Sequence, residues 1–359
     1  MNTFGKNFRV SVFGESHGTG IGAVIDGVPA GINIAAEDFM EDLSRRKSGA
    51  KGTTPRREDD VPEILSGIMA GYTTGAPLAV LFRNGNVRPS DYSLFKEMPR
   101  PGHADFVAGM KWHDFNDPRG GGHFSGRLTL ALVAAGTVAK KILNSAYSAD
   151  VLSGYGLAQL PEEGSRLFSV KASLVEVGGV PLSEVERPGV TDPTVLWSGI
   201  LDKAMAEGDS VGGIVECTVG NVPVGLGEPF FDSVESLISH IVFSIPGVRG
   251  IEFGAGFKAA GMKGSEHNDP IVSPSGMTSG NGAGGVNGGI TNGNPIVFRV
   301  AFKPTSSIRM TQYTWNFTSG KIEPLDIQGR HDVCFALRTP VIVESAAAIV
   351  LTDLLLSLR

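Results

Sequence analysis

Alternating apolar and polar positions mark residues 8–13 (FRVSVF) as a first strand, which runs through a tight polar turn, GESHGTG, into a second β-branched run ending at an Asp-Gly turn and Pro29. Gly18, Gly20 and Ala23 spell a G-x-G-x-x-A, but a dinucleotide-binding turn is followed by a helix, so strand, turn, strand is the better reading. AAEDFMEDLSRRKS has apolar residues at helical spacing, with acids early and bases late, and predicts a short helix. Residues 61–83 alternate as two strands around a Gly-Tyr-Thr-Thr-Gly turn. The best helix signal follows Ser125, an N-cap residue, over LTLALVAAGTVAKKIL. Residues 145–199 hold strand-like pieces (DVLSGYGLAQL, SVKASLVEVGG) and no evident chemistry, and read as elaboration on the main sheet.

From residue 201 the pattern gives a helix, a glycine turn and a strand, then an amphipathic helix in DSVESLISHIVF stopped by Pro246 and Gly247, with His240 read as a packed core histidine. GNGAGGVNGGITNG is too rich in glycine for a strand, and is either a surface loop or backbone laid against a ligand. A strand, PIVFRVAF, and a terminal helix from Val343 complete the chain. The halves share a grammar of strand pair, glycine loop and helix without a clean sequence repeat. The expectation is one domain over residues 1–359 in two intertwined halves, roughly 1–200 and 201–359.

With 359 residues and 41% apolar content the chain can bury a sizeable core. A net charge of −6 argues against a nucleic-acid partner. Cys217 and Cys334 cannot by themselves frame a disulfide scaffold or a zinc site. No basic, apolar leader opens the sequence, and the longest apolar run is broken by Glu344 and Asp353, so neither export nor a membrane span is expected and the cytoplasm is the default.

The chemistry concentrates in residues 100–127, RPGHADFVAGMKWHDFNDPRGGGHFSGR, which hold His103, His113 and His123 with three aspartates and a glycine triplet. Pro101, Pro118 and Gly120 to Gly122 exclude a regular element across it, and it delivers its imidazoles and arginines to a helix N-terminus, a place suited to an anion. Ser16 and His17 stand between glycines at a strand end, either aimed at a ligand or as a turn histidine paired with Glu15. Residues 45–57, RRKSGAKGTTPRR, carry six cations and no acid. They form either a solvated face or a mobile lid that grips an anion. Lys303 to Ser307, KPTSS, offer a cation with three hydroxyls, another phosphate-type grip.

Three patches in order, GESHGTGIGAVIDGVP, RPGHADF with GGGHFSGR, and GRHDVCFALRTPVIVESA, with RRKSG, LGEP, the GGxxGGI loop and KPTSS between them, resemble the chorismate synthase family over nearly the whole chain. The resemblance implies an α/β (α+β) sandwich of helices between antiparallel sheets, assembled as a homotetramer; the shared grammar of the halves adds an internal pseudo-duplication as an open alternative. It implies conversion of 5-enolpyruvylshikimate 3-phosphate to chorismate by 1,4-anti elimination, with reduced FMN (FMNH2) and no net redox change. NADPH is a source of reductant used either by the protein itself or through an external flavin reductant; no separate reductase domain is visible, which favours the latter.

By the same resemblance His17 would protonate the departing phosphate and His103 the reduced flavin, while Asp332 and Ser16 would assist proton transfer to it. FMN contacts would fall at His123, Phe124, Ser125, Pro246, Gly247, Gly288, Lys303, Pro304, Thr305, Ser306, Ser307 and Arg330. Arg46 and Lys51 would bind anions on the lid; apart from the resemblance, the place of Arg127 at the opening of the central helix suits it to the substrate phosphate or carboxylate. Relatives often carry arginine at His123 and at Lys51, and serine or alanine at Phe124. One rival is a metal-dependent phosphoesterase using His103, His113 and His331, opposed by the arginine beside each His-Asp pair; another is a non-catalytic FMN carrier.

Overall fold

Period-two burial builds two five-stranded antiparallel sheets in a computed structural model that describes residues 2–55, 58–85, 94–156, 167–329 and 331–358. The first contains β1 (Thr3–Phe4), β2 (Arg9–Gly14), β3 (Gly20–Asp26), β4 (Glu63–Ser66) and β5 (Leu78–Arg83), in the order β1-β2-β3-β5-β4. β2 and β3 pair from Arg9 opposite Asp26 to Gly14 opposite Ile21, so the Ser16-His17 turn joins antiparallel neighbours as expected. The second contains β6 (Ser169–Val177), β7 (Val180–Pro181), β8 (Gly213–Gly220), β9 (Val248–Phe253) and β10 (Ile296–Phe302), in the order β9-β10-β8-β6-β7. In β10 the inward residues Ile296, Phe298, Val300 and Phe302 are buried and their neighbours less so.

Among the described residues the helices of seven residues or more are α1 (Met40–Arg46), α2 (Asp105–Trp112), α3 (Thr129–Leu143), α4 (Ala146–Gly154), α5 (Ser198–Glu207), α6 (Val234–Val242) and α7 (Pro340–Leu356). α3 and α7 are apolar on nearly every face, which suits only a helix surrounded by protein. They lie against each other between the sheets, α3 on the first and α7 on the second, giving the helix-filled sandwich. Gly136 of α3 abuts Ser345 of α7 so closely that a β-carbon would collide with the serine side chain. Glu344 is buried there and accepts from Arg45 at 2.6 and 2.7 Å, Lys140 at 3.0 Å and the Ala172 amide at 2.9 Å, which ties α1, α3, α7 and β6 together. Asp353 accepts from the amides of Lys6, Asn7 and Phe8.

Several expectations change. Asp105–Trp112 is a helix inside the segment taken as irregular, because its residues contain one tolerable glycine, Gly109, and no proline. DVLSG belongs to helix α4, not a strand. Ser169–Val177 is a strand as expected, but it pairs with β8, so the second sheet begins well before residue 200. The glycine-rich run 280–293 holds a small hairpin, Val286–Asn287 against Ile290–Thr291. The terminal helix starts at Pro340, whose fixed φ suits the first turn. His240 is exposed, edge-on to the Phe4 ring at 5.3 Å. The longer strands of the two sheets share one order, β2-β3-β5-β4 and β6-β8-β10-β9.

Candidate active site

The turn after β2, residues 46–54 and 58–60, residues 100–127, the turn at Pro246 and Gly247, the loop after β10 and residues 331–338 meet around a cavity of about 550 Å³. Six cationic side chains line it, Arg46, Lys47, Arg100, Arg127, Lys303 and Arg338, against four carboxylates. Two of those carboxylates are already engaged: Asp60 by Arg127 at 2.7 Å and Asp332 by Arg338 at 2.7 Å. Arg46 is 3% exposed and lies 4.0 Å from Asp60. Its Nε and Nη1, and the Nη2 of Arg127, are buried with no hydrogen-bond partner. Burial first, then the Arg338 charge, pulls the Arg46 guanidinium down to about 9. An unneutralised buried cation of this kind is costly unless an anion joins it.

His103 sits at the start of α2. Its Nδ1 is 2.7 Å from Asp105 Oδ1, and Arg100 holds the same carboxylate through Nε at 2.7 Å and Nη2 at 2.8 Å. A carboxylate only accepts, so Nδ1 carries the proton and Nε2 is left for exchange with a ligand. Burial lowers the His103 pKa and outweighs the opposing pull of Asp105. Burial alone would raise Asp105, but its hydrogen bonds to Arg100 and His103 hold it far below the usual carboxylate range.

The glycine triplet makes this arrangement reachable. Gly120, Gly121 and Gly122 all have positive φ, of 60°, 79° and 52°. A β-carbon on Gly120 would collide with the His17 ring, and one on Gly121 would stand 3.3 Å from His103 Nε2. Two imidazoles therefore sit against successive glycines. The Ser16 amide donates to the Gly122 carbonyl at 3.1 Å, fixing the turn after β2 to the triplet. Ser16 lines the cavity with His103 and Asp332, whereas His17 is not itself on the wall: it is buried with Nδ1 3.2 Å from Ser16 Oγ. Asp332 is gripped by Arg338 and by the Thr54 amide at 2.9 Å.

Phe124, Ser125, Pro246, Gly247 and residues 303–307 line the cavity, as does Arg127. Ser125 caps the turn that opens into α3, accepting from the Arg127 amide at 3.3 Å. Lys303 Nζ donates to the Gly102 carbonyl and to Ser306 Oγ, so the KPTSS loop is tied to the backbone beside His103. Thr305 Oγ1 is buried without a partner. His123 faces a second, more apolar space of about 810 Å³ that shares His103, Phe124, Pro246, Gly247, Lys303 and Ser306 with the first; its Nδ1 takes up the Gly14 carbonyl at 2.9 Å.

Lys51 does not reach the cavity; Asp202 pairs its ammonium at 2.7 Å, a partner too distant in sequence to foresee. Gly288 lies in the hairpin turn with a φ of 62°, lining neither space. Arg45 and Arg46 belong to α1 and are fixed by Glu344 and by burial, so the cationic run is not mobile from its start. Arg330, Arg56 and Arg57 lie outside the described residues. The reading from sequence assigned nothing to Asp60, Asn84, Asp105 or Arg338. Asn84 accepts from Arg127 Nε at 2.8 Å and donates to the carbonyls of Glu15 and Gly18, linking Arg127 to the Ser16-His17 turn. The His-x-Asp spacing at 103 and 105 was the one local clue. Among the described residues no three His, Cys, Asp or Glu side chains gather as metal ligands, and His113 is exposed at the end of α2.

An antiparallel sandwich whose central helix opens onto a cation-lined cavity with a carboxylate-backed imidazole defines an enzyme that holds an anion and moves protons beside it. The profile of the chorismate synthase family matches residues 8–356. A chorismate synthase of Chitinophaga pinensis is 57% identical over 99% of this chain and 97% of its own length, and one of Pyrococcus abyssi is 44% identical over 99% and 98%. A crystal structure of a chorismate synthase superposes with a TM-score of 0.68 at 27% identity, covering 98% of this chain and 93% of the other. The chain belongs to the chorismate synthase family, and is thus a shikimate-pathway lyase acting on a phosphate. The family implies a flavin cofactor, and the site suits one: the Thr305 hydroxyl, buried without a partner, would meet one of its polar groups, and Phe124, Pro246 and Phe335 offer apolar wall.

Proposed function

We propose that the cavity holds 5-enolpyruvylshikimate 3-phosphate beside reduced FMN, and that residues of this chain promote 1,4-anti loss of phosphate and a ring hydrogen. The bound flavin supplies transient electron density to the breaking carbon–oxygen bond. FMN is held by Phe124, Ser125, Pro246, Gly247, the 303–307 loop, His123 and Arg330. Arg46 and Arg127 take the substrate's phosphate and carboxylate through their unpartnered nitrogens. His17, reached through Ser16, delivers a proton toward the leaving phosphate, and His103 holds one at Nε2 for the flavin. Asp332, kept in place by Arg338 and Thr54, and Ser16 would together assist transfer of the ring proton to the bound flavin.

The carrying observation is the meeting of buried, partnerless guanidinium nitrogens with the Arg100-Asp105-His103 relay in one cavity. The chain acts in the cytoplasm as a homotetramer whose flavin is reduced by an outside reductant drawing on NADPH. We read residues 1–359 as one domain made of two β-β-α-β-β-α halves, a reading supported by the shared strand order. The test is anaerobic: protein, reduced FMN and the phosphorylated enol ether should release phosphate in step with the diene absorbance, and NADPH with oxidised FMN should not replace reduced FMN. Absence of phosphate release with reduced FMN would sink the reading.

A further inference from the structure

We propose that His331 selects the bound ligand by accepting a hydrogen bond from one of its O–H or N–H groups at Nε2. This rests on the cavity being the flavin and phosphate-ester site argued above. His331 lines that cavity, and its Nε2 is buried without a hydrogen-bond partner. The ring also bonds the backbone at Gln328. Because Nε2 is unpartnered, that bond is made at Nδ1, and a carbonyl can only accept. The proton therefore resides on Nδ1, and Nε2 presents a lone pair. Burial first, then the Arg100 charge, brings the ring down to about 4, which keeps it neutral. Gly329, at a φ of 135°, would place a β-carbon 3.0 Å from Nε2, so glycine keeps the approach to the lone pair clear.

The surroundings make an acceptor informative. Arg46, Lys47, Arg100, Arg127, Lys303 and Arg338 all bring donors to the wall, and Asp60 and Asp332 are engaged by Arg127 and Arg338. Donors read phosphate and carboxylate; a neutral acceptor reads a hydroxyl or an imide. A ligand lacking that donor would leave Nε2 buried and unpaired, and a site built around such a bond rejects it strongly. The two ligands each offer such a donor: the substrate its ring hydroxyl, the flavin its imide N–H and its ribityl hydroxyls.

His331→Phe, His331→Gln and His331→Asn separate them. Oxidised FMN is titrated by its fluorescence, and the substrate KM is taken with reduced FMN in excess. His331→Phe should weaken one constant about tenfold. His331→Gln, whose amide reaches the Nε2 position, should stay within about threefold of the parent, and His331→Asn, which mimics Nδ1, should behave like the phenylalanine variant. A raised FMN Kd assigns the bond to the flavin; a raised KM with an unchanged FMN Kd assigns it to the substrate hydroxyl. The proposal is overturned if His331→Phe leaves both constants within about twofold, or if asparagine rescues as well as glutamine. Should the variants not fold, wild-type protein labelled with 15N-histidine serves: the His331 Nε2 signal must move on adding FMN or substrate, and a signal unmoved by both overturns the proposal. Failure of the wild type to release phosphate would count against the proposed function, whereas the FMN titration and the nitrogen signal are read without turnover.

Discussion

Gly120 and His17 are in such close contact that no side chain larger than hydrogen fits between them. Gly120 also has a φ of 60°. Substituting alanine therefore adds backbone strain and displaces the imidazole. Gly120→Ala should reduce turnover at least a hundredfold. Gly189→Ala, at a φ of 76° with open space around it, should cost on the order of 1 kcal/mol in stability and leave kcat unchanged. Phosphate release and thermal melts of both variants check the pair; equal activities would mean that His17 does not depend on the close approach.

Asp105 is a positioning residue for His103. Burial lowers the imidazole pKa and Asp105 raises it, so Asp105→Asn lowers it further. A proton-loaded imidazole then exists only at lower pH, and the alkaline limb of kcat/KM should move down in pH, with a loss on the order of tenfold at neutrality. Rates across the pH range decide it, with melts as a control because Arg100 loses its partner. A limb that stays in place would assign Asp105 to structure alone.

Arg46 illustrates a site that is costly when empty of anion. Its folded-state pKa lies below its unfolded value, so the full cost of burying the charge is present below about pH 9 and is relieved as pH rises above it. Arg46→Met should raise the melting temperature of ligand-free protein, and substrate KM should rise more than tenfold. Inorganic phosphate should stabilise the wild type and not the variant. Calorimetry with and without phosphate is the check.

Glu344 should govern acid stability. Burial alone would raise its pKa, but Arg45 and Lys140 bring it below the ordinary value. Its contribution is thus complete above pH 4.5 and fades as pH falls through the lowered folded value. Glu344→Gln should destabilise on the order of 3 kcal/mol at pH 7, and the gap from the wild type should close as pH falls below 4.5. Denaturant titrations at pH 7 and in acid measure it.

The β2-β3 pair, the Ser125 cap and helix α3 were legible because each follows from neighbours in sequence. So was the KPTSS loop on the cavity wall. Helix α2 was hidden because Pro101 and the glycine triplet dominate the surrounding segment, although neither falls inside Asp105–Trp112. Lys51 and His240 stand apart from their expected surroundings for one reason: the partner that each meets, Asp202 or Phe4, is supplied by a remote part of the chain. Asp60 and Asn84 were unreadable for the same cause, since a carboxylate and an amide in loops acquire meaning only beside Arg127.

The helix at the heart of the sandwich is made long after the strands it helps to fix. Asp353 binds amides of residues 6–8, and Glu344 binds Arg45, so the first sheet, though it can rest on α3, lacks these partners until Pro340–Leu356 is in place. Nascent chains must wait, with their strands exposed to chaperones, and messages cut short before this helix should yield products destined for proteolysis rather than a partly working enzyme.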